Sequence, residues 1–459
     1  MRDRTAFLFP GLGAYSSGVL RQAHSEFPQV GETFAEIDDE AARHGVPSVS
    51  DVLFGPHEAQ IKDLLARQAE LLQLAIFGTS IATYRVLIAE GAKPHLLVGH
   101  SFGEMAALVC AGAFDLTDGV RLVCARTEVL RPWEGRGAMA AIGANETVVE
   151  HLIGLVEEPD LVIGCTNAPR QTVLSGPIDA IARAGEAAEA LGFFFAKLHL
   201  PYASHHPSMR PAVSDFLELM ATVRQRPLRQ AVLSPIHGRR YDDGDDLRQA
   251  IADCLVLPVR FTDAVRTLHA QDYHRFVEIG ALNALTRCVR ATVPGVQTFA
   301  PLLAPENESA QLRAAAGNGP ATAEAASTGA TAQMDSPEAA VVAPIAPQPT
   351  SIPSARREAV AVPAVPARAE VNEASRPDVL LRLQQLYATA LEYPVELLTE
   401  GTALEAELGV DSLKQTSLLA KVIEEFGLHD DPGELRVWEF ASLGHIADHV
   451  VSSRDGALR

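Results

Sequence analysis

Apolar positions in the first 300 residues recur in two alternating rhythms. Ala6–Phe9 is a short apolar run closed by Pro10-Gly11, and His95–Val98 is another; both read as buried strands. Between them, Glu70–Glu90 places Leu72, Ala75, Ile76, Thr79, Ala82 and Val86 on one helical face, and Glu104–Ala113 resumes helical spacing. Such alternation predicts an α/β fold around a largely parallel sheet. A second stretch reads Gly137–Ile142 strand, Glu146–Glu157 helix, Leu161–Thr166 strand, Gln171–Ser175 strand, Ile178–Leu191 helix and Phe193–Leu198 strand. The order βαββαβ predicts a ferredoxin-like α+β subdomain over about residues 136–200, inserted in the larger domain.

The rhythm stops near residue 303. Residues 311–370 contain 19 alanines and 8 prolines, and no aromatic residue occurs between Phe299 and Tyr387. A segment with so little to bury is expected to be a disordered tether over 304–376. Beyond it, residues 377–454 read as nearly all helix: Val379–Leu391, Leu413–Phe426, Leu443–Val451 and a short turn near Glu434–Phe440 predict a small four-helix bundle.

Charge and cysteine content narrow the function. The 459 residues carry a net charge of −20, which disfavours nucleic-acid binding because phosphate contacts need excess Lys and Arg. Residues 377–459 hold 6 basic and 15 acidic residues, nearly half of that excess. Five scattered cysteines with no CxxC pair imply neither a disulfide scaffold nor a cysteine-rich metal site, and fit a reducing compartment. The start MRDRTAFLFPGLG lacks the apolar run of a signal peptide, and stretches such as Met105–Phe114 fall short of the ~20 residues that span a bilayer. The expectation is a cytoplasmic protein that uses neither a membrane nor a metal.

The first chemical signal is Gly99-His100-Ser101-Phe102-Gly103-Glu104, placed between a strand and a helix. A serine in a tight strand-to-helix turn needs small neighbours. The turn exposes its hydroxyl and leaves the next N–H free at a helix N-terminus, where negative charge is favoured. This hydrolase-like arrangement makes Ser101 a candidate nucleophile, and a serine hydroxyl needs a base. The candidates are His100, which the turn points elsewhere, and His199, His205 and His206 downstream.

Four motifs in order settle the choice by resemblance: Phe7-Leu8-Phe9-Pro10-Gly11-Leu12-Gly13, the Ser101 hexapeptide, Asn167-Ala168-Pro169-Arg170-Gln171-Thr172-Val173-Leu174-Ser175-Gly176, and Tyr202-Ala203-Ser204-His205. Over residues 4–303 the chain resembles malonyl-CoA:acyl carrier protein transacylases and polyketide synthase acyltransferase domains. The resemblance implies an acyltransferase domain over 1–303 with Ser101 as nucleophile and His205 as its base, a dyad oriented by backbone carbonyls. It implies an oxyanion hole from the N–H groups of Leu12 and Phe102, and Gln68 near the site. Arg126 would hold the free carboxylate of a malonyl-type group, which suits an always-charged planar fork. Activity would fall as pH drops through an imidazole pKa near ~6.5.

The chain departs from the pattern in places. Leu12 replaces a usual glutamine, which leaves its N–H but removes side-chain hydrogen bonds. Gln68-Ala69 replaces Gln-Pro, and Leu257-Pro258-Val259 replaces Asn-Pro-Val. Selectivity signals conflict. Tyr202 and Ser204 resemble methylmalonyl-type enzymes, whereas Phe102 resembles malonyl-type ones, so malonyl and α-substituted malonyl both stay open.

The second chemical signal is Gly409-Val410-Asp411-Ser412-Leu413, which opens a helix in the acidic bundle. Read alone, Asp411 or Ser412 is an N-cap. In its context the stretch resembles an acyl carrier protein, which implies Ser412 as the attachment point of 4′-phosphopantetheine; a phosphodiester there would meet a helix N-terminus. Lys414 and Gln415 resemble carriers of polyunsaturated fatty acid synthases. The implied substrate is acyl-CoA. The implied partners are the chain's own or an external acyl carrier protein, a ketosynthase and a phosphopantetheinyl transferase, in polyketide or fatty-acid-like biosynthesis. A 60-residue flexible coil spans about 40–45 Å, enough for cis loading. Two alternatives remain: an editing hydrolase that clears stalled carriers, and a carrier module with an inactive acyltransferase scaffold.

Overall fold

The computed structural model describes residues 4–55, 64, 68–198, 200–303, 307–317, 376–391, 400, 418–419, 421–423, 425–426 and 442–456. The chain divides into two units, 1–333 and 334–459. The first is built on two sheets. The larger has the order β11-β10-β1-β2-β7-β8, from β1 (Arg4–Phe9), β2 (Leu96–Gly99), β7 (Val232–Ser234), β8 (Arg239–Arg240), β10 (Tyr273–Glu278) and β11 (Gln297–Phe299). All its pairings are parallel except β7 with β8.

This parallel core explains why its strands lack polar alternation. Phe7, Phe9 and Leu97 enter the core on one face of the sheet, and Ala6, Leu8, Leu96 and Val98 enter the core on the other. Both faces are covered, so every position along the strand is apolar. The helix Ala69–Ala89 lies in the first of these cores, and Leu71–Thr83 is buried all round. A one-sided stripe was expected there. Burial on every side removes the need for a polar face. This helix of 21 residues is long and apolar enough to cross a bilayer by length and composition, contrary to the expectation from shorter runs, and 83% of its most apolar window is buried inside the unit.

The smaller sheet runs β6-β3-β5-β4-β9, from β3 (Ala138–Ile142), β4 (Val162–Ala168), β5 (Gln171–Gly176), β6 (Phe195–Lys197) and β9 (Val259–Arg260). The first four strands and the helices Glu146–Val156 and Ile178–Ala190 follow the expected βαββαβ order. Ala138, Ala140, Ile142 and Leu174 pack under those helices. Met139, Ala141, Cys165 and Val173 join the second core of the larger domain. The fifth strand was not foreseen. β9 comes from the larger domain and pairs parallel with β4, so the two parts are joined by backbone hydrogen bonds.

The first compact unit continues past the expected boundary at 303. The helix Glu308–Ala316 belongs to the first unit, with Glu308, Ser309, Leu312 and Ala315 buried. Alanine is tether composition, but it is also the best helix former. The rest of the expected tether, 304–306 and 318–375, lies outside the described residues, and its last residue, Arg376, opens a helix.

The second unit contains the helices Arg376–Leu391 and Leu443–Gly456 and a helical stretch at 418–426 described in part. Val379, Leu383 and Tyr387, four residues apart, pack with Leu418, Leu419, Val422, Phe426, Leu443, Ile446, Ala447 and Val450. Arg376 bridges Asp448 at 2.5 Å and Glu400 at 2.7 Å. The expected turn near 434–440 and Ser412 both lie outside the described residues.

Candidate active site

Ser101 follows β2 in a bend that ends at the helix Gly103–Cys110. Its φ is +54°, a left-handed conformation that an L-residue adopts at a cost. The two flanking glycines make the bend possible. A Cβ on Gly99 would stand 2.2 Å from Glu104 Cα, and one on Gly103 would stand 2.1 Å from the Phe9 carbonyl oxygen. The sequence requirement for small neighbours is thus a requirement for backbone contact. Beneath the bend, the fully buried Glu104 accepts hydrogen bonds from Ser234 Oγ at 3.0 Å and from the Tyr241 hydroxyl. Burial raises its carboxyl to about 8 against the pull of those two donors.

His205 meets this serine from the loop after β6. Its Nε2 lies 2.8 Å from Ser101 Oγ, and its Nδ1 lies 2.9 Å from the Leu257 carbonyl oxygen. A carbonyl can only accept, so Nδ1 carries the proton and Nε2 presents its lone pair to the serine hydroxyl. Desolvation lowers the imidazole to about 3. The Leu257 bond opposes this, and the positive fields of His100 and Arg126 add to it. The ring is therefore neutral at neutral pH. An acid limb near 6.5 was expected from an unperturbed histidine, and burial at 3% exposure is the reason it does not apply.

The other histidines have structural partners. His100 Nε2 donates to Asn167 Oδ1 at 2.8 Å, and its ring packs edge-on against Phe261. His206 Nδ1 accepts from the Ser208 N–H, so its Nε2 donates to the Asp160 carbonyl at 2.7 Å. His199 lies outside the described residues. The third motif also finds its purpose. Asn167 holds His100, and Ser175 Oγ donates to the Ser204 carbonyl at 2.6 Å, next to His205.

The loop Gly11–Gly13 lies against the bend, since a Cβ on Gly11 would be 3.3 Å from the His100 carbonyl oxygen and 3.9 Å from Ser101 Cβ. Neither Leu12 nor Phe102 donates a backbone hydrogen bond among the described residues, so both amides are available. Arg126, on the helix Leu116–Leu130, is 4% exposed. Its guanidinium carbon stands 5.4 Å from the centre of the Phe102 ring, and no carboxylate lies within 4 Å of it among the described residues.

A cleft lined by Leu12, Leu72, Gln73, Thr127, Glu134 and Tyr202, with others, shares Leu12 with the loop at the bend. Tyr202 is buried and lines this cleft. Ser204 is buried, and its hydroxyl has no hydrogen-bond partner among the described residues. Gln68 falls elsewhere. It is exposed and lines a surface groove with His44, Gly45 and Arg131. The amide that reaches Arg126 is Gln73, whose Oε1 accepts from Nη1 at 2.9 Å. Sequence reading missed it, although an amide inside an otherwise apolar helical run was the available signal.

A strained serine at 2.8 Å from a neutral imidazole, near two amides without a backbone acceptor, has the chemistry that nucleophilic acyl transfer needs. The known proteins agree. Residues 6–343 match the acyl transferase domain model and residues 382–450 match the phosphopantetheine attachment site model. The chain belongs to the acyl transferase domain family and carries a phosphopantetheine-attachment domain after it.

It is 33% identical over 297 residues to the malonyl CoA-acyl carrier protein transacylase of Escherichia coli, covering 63% of this chain and 92% of that one. It is 30% identical over 292 residues to a phenolphthiocerol synthesis polyketide synthase of Mycobacterium marinum, covering 63% of this chain but only 14% of the synthase. Among solved structures, the transacylase of Coxiella burnetii superposes with a TM-score of 0.62 at 27% identity, over 69% of this chain and 98% of that one. A transacylase solved with its holo type II polyketide acyl-carrier protein gives 0.62 at 28% identity, over 69% and 99%.

Proposed function

We propose that the chain transfers a malonyl-type acyl group from coenzyme A to the thiol of an acyl carrier protein through an ester on Ser101. The observation that carries this is the 2.8 Å contact of Ser101 Oγ with a His205 ring whose other nitrogen is fixed on the Leu257 carbonyl. His205 Nε2 takes the hydroxyl proton as Oγ attacks the thioester carbonyl. The oxyanion sits on the N–H groups of Leu12 and Phe102. The C–S bond breaks, and the coenzyme A sulfur leaves with the proton from His205. The acyl ester on Ser101 then meets the acceptor thiol. His205 takes the thiol proton, sulfur bonds to the acyl carbon, and Oγ leaves and recovers a proton from the ring. Arg126 binds the distal carboxylate throughout, supported by its burial without an acidic partner among the described residues.

Phosphopantetheine on Ser412 would supply the acceptor thiol within the same chain. A serine hydroxyl has the chemistry for a phosphodiester. The buried helical positions Leu418, Leu419 and Val422 that follow it fit a packed carrier bundle. The test is labelling with radioactive malonyl-CoA. Without phosphopantetheine on Ser412, the wild-type chain is expected to trap one acyl group before the acceptor is added, and Ser101→Ala to trap none. Undiminished label in Ser101→Ala refutes the reading.

A further inference from the structure

Glu104 has no part in the acyl-transfer steps, yet it is a carboxyl with 0% exposure in the first turn of the helix that follows the Ser101 bend. Backbone closes that bend: the N–H groups of Gly103, Glu104 and Met105 donate to the carbonyls of His100, Ser101 and Phe102 at 3.0, 2.9 and 3.2 Å. The Glu104 side chain ties it to the neighbouring strands. Its two oxygens accept from Ser234 Oγ at 3.0 Å and from the Tyr241 hydroxyl. Ser234 ends β7, whose Leu233 pairs with Val98 of β2, and the Tyr241 N–H donates to the Val232 carbonyl of the same strand at 3.0 Å. A closed circuit results: β2 leads into Ser101, Glu104 crosses to Ser234 and Tyr241, and β7 returns to β2. Ser234 is itself preset, because its Oγ accepts from the N–H groups of Ile236 and His237, each at 3.2 Å. Both of its lone pairs are taken, so its one proton is left for Glu104.

A buried carboxyl is an expensive way to join two elements. Apolar side chains of similar volume often serve stability as well or better. A satisfied polar network supplies direction instead, since each bond has a preferred distance and angle. Direction is what this bend needs. It carries both Ser101 Oγ and the Phe102 amide, and a misplacement of about 1 Å at reacting groups can cost about a hundredfold in rate.

We propose that Glu104 is a positioning residue: through Ser234 and Tyr241 it locks the turn that carries Ser101 and the Phe102 amide against β7, and so sets the rate of ester formation rather than the affinity for the acyl donor. This inference rests on the reading of Ser101 as the nucleophile and deepens it. Glu104 acts through the bend and through none of the reacting atoms.

The experiment follows ester formation from malonyl-CoA by rapid quench and intact mass, in the full chain without phosphopantetheine on Ser412. Three variants are compared with wild type. Tyr241→Phe removes one donor and keeps the ring. Glu104→Leu removes both contacts. Glu104→Gln keeps them, because its Oε1 can accept from Ser234 and its NH2 can donate to the Tyr241 oxygen. The final amplitude counts the chains able to react, and the rate constant at saturation reports their geometry. The rate constant is expected to fall about tenfold in Tyr241→Phe and about a hundredfold in Glu104→Leu, and to stay within about threefold of wild type in Glu104→Gln. The half-saturating malonyl-CoA concentration should stay within about twofold throughout. A loss confined to amplitude, with unchanged rate constants, makes Glu104 merely structural and overturns the proposal. So does a loss carried by half-saturation, or a Glu104→Gln rate as low as that of Glu104→Leu. If Glu104→Leu does not fold, Tyr241→Phe and Glu104→Gln decide by the same criteria. Absence of ester in wild type is a different result, because it overturns the reading of Ser101 itself.

Discussion

Ser101 and His205 hold left-handed backbones, at φ +54° and +58°, and meet at 2.8 Å between Oγ and Nε2. Neither residue is a glycine, so each conformation costs about 1–3 kcal/mol and persists because its surroundings impose it. For Ser101 those surroundings are two glycine contacts with backbone. For His205 they are the bond from the Ser175 hydroxyl to the Ser204 carbonyl and the Leu257 acceptor. The two strained residues lie 104 positions apart in the chain, one after a strand of the larger sheet and the other after a strand of the smaller.

The imidazole's environment fixes the pH behaviour. Below its unfolded value of 6.5 the unfolded chain takes up a proton that folded His205 refuses until about pH 3. This group therefore contributes stability above pH 6.5 that is lost as pH falls from 6.5 to about 3, by up to ~1.4 kcal/mol per unit. Activity should follow a different course. The acid limb of kcat/KM is expected well below pH 6.5. Because the Arg126 charge is one of the forces that lower His205, a bound carboxylate that offsets it should raise the limb of kcat for malonyl-CoA above that for acetyl-CoA. Stopped-flow acylation from about pH 4 to pH 8 checks both. Limbs at 6.5 for both donors would contradict the burial argument.

The glycine contacts make a sharper structural prediction. Gly103→Ala would press a Cβ against the carbonyl oxygens of Phe9 and Pro10, at 2.1 and 2.5 Å, and backbone cannot swing aside as a side chain can. We expect a loss of about 3 kcal/mol in urea unfolding, with ester formation at Ser101 abolished. Gly13→Ala is the control. It lies in the exposed loop next to Leu12, has no heavy atom within 4 Å of its new Cβ, and should stay within about 0.5 kcal/mol of wild type.

What could be read in advance divides along physical lines. The Ser101 bend was legible because a tight turn leaves a local mark, two glycines at fixed offsets. The βαββαβ subdomain was legible because period-two and period-3.6 patterns alternate within 60 residues. Gln73 was not, because an amide within an apolar helical run marks a buried polar group without saying what it meets, and its partner lies 53 positions away. β9 was not, because two residues have no periodicity and their pairing with β4 spans nearly a hundred positions. Gln68 was placed by resemblance alone, and the structure puts it on an exposed groove.

The segment after 303 tests the corrected boundary. Glu308 accepts from the Leu20 N–H at 2.6 Å and the Ala23 N–H at 3.4 Å, satisfying donors at the start of the helix Arg21–Glu26. Arg313 returns to Glu26 at 3.0 Å. Glu308→Ala leaves a buried N–H without its acceptor and is expected to cost about 1–3 kcal/mol. Ending the chain after Leu303 should cost at least as much, whereas ending it after Gly317 should not. Calorimetry on the three proteins decides this. Equal melting of the 303 and 317 forms would return the boundary to 303.

If Ser412 carries the acceptor thiol, the phosphopantetheinylated chain exposed to malonyl-CoA should gain two acyl groups, one on Ser101 and one on the arm. Ser412→Ala should lose the phosphopantetheine mass and keep the Ser101 ester, because the reactive pair lies wholly in the first unit. Ser101→Ala in its phosphopantetheinylated form should not load itself, yet should accept acyl from added Ser412→Ala chains. Tethering can raise the local thiol concentration to about the millimolar range, so loading within one chain should stay constant on dilution below that. Dilution from about 10 μM to about 0.1 μM separates the routes: an unchanged first-order rate means loading in cis, and a rate that falls in proportion to protein means that each carrier is loaded by another chain.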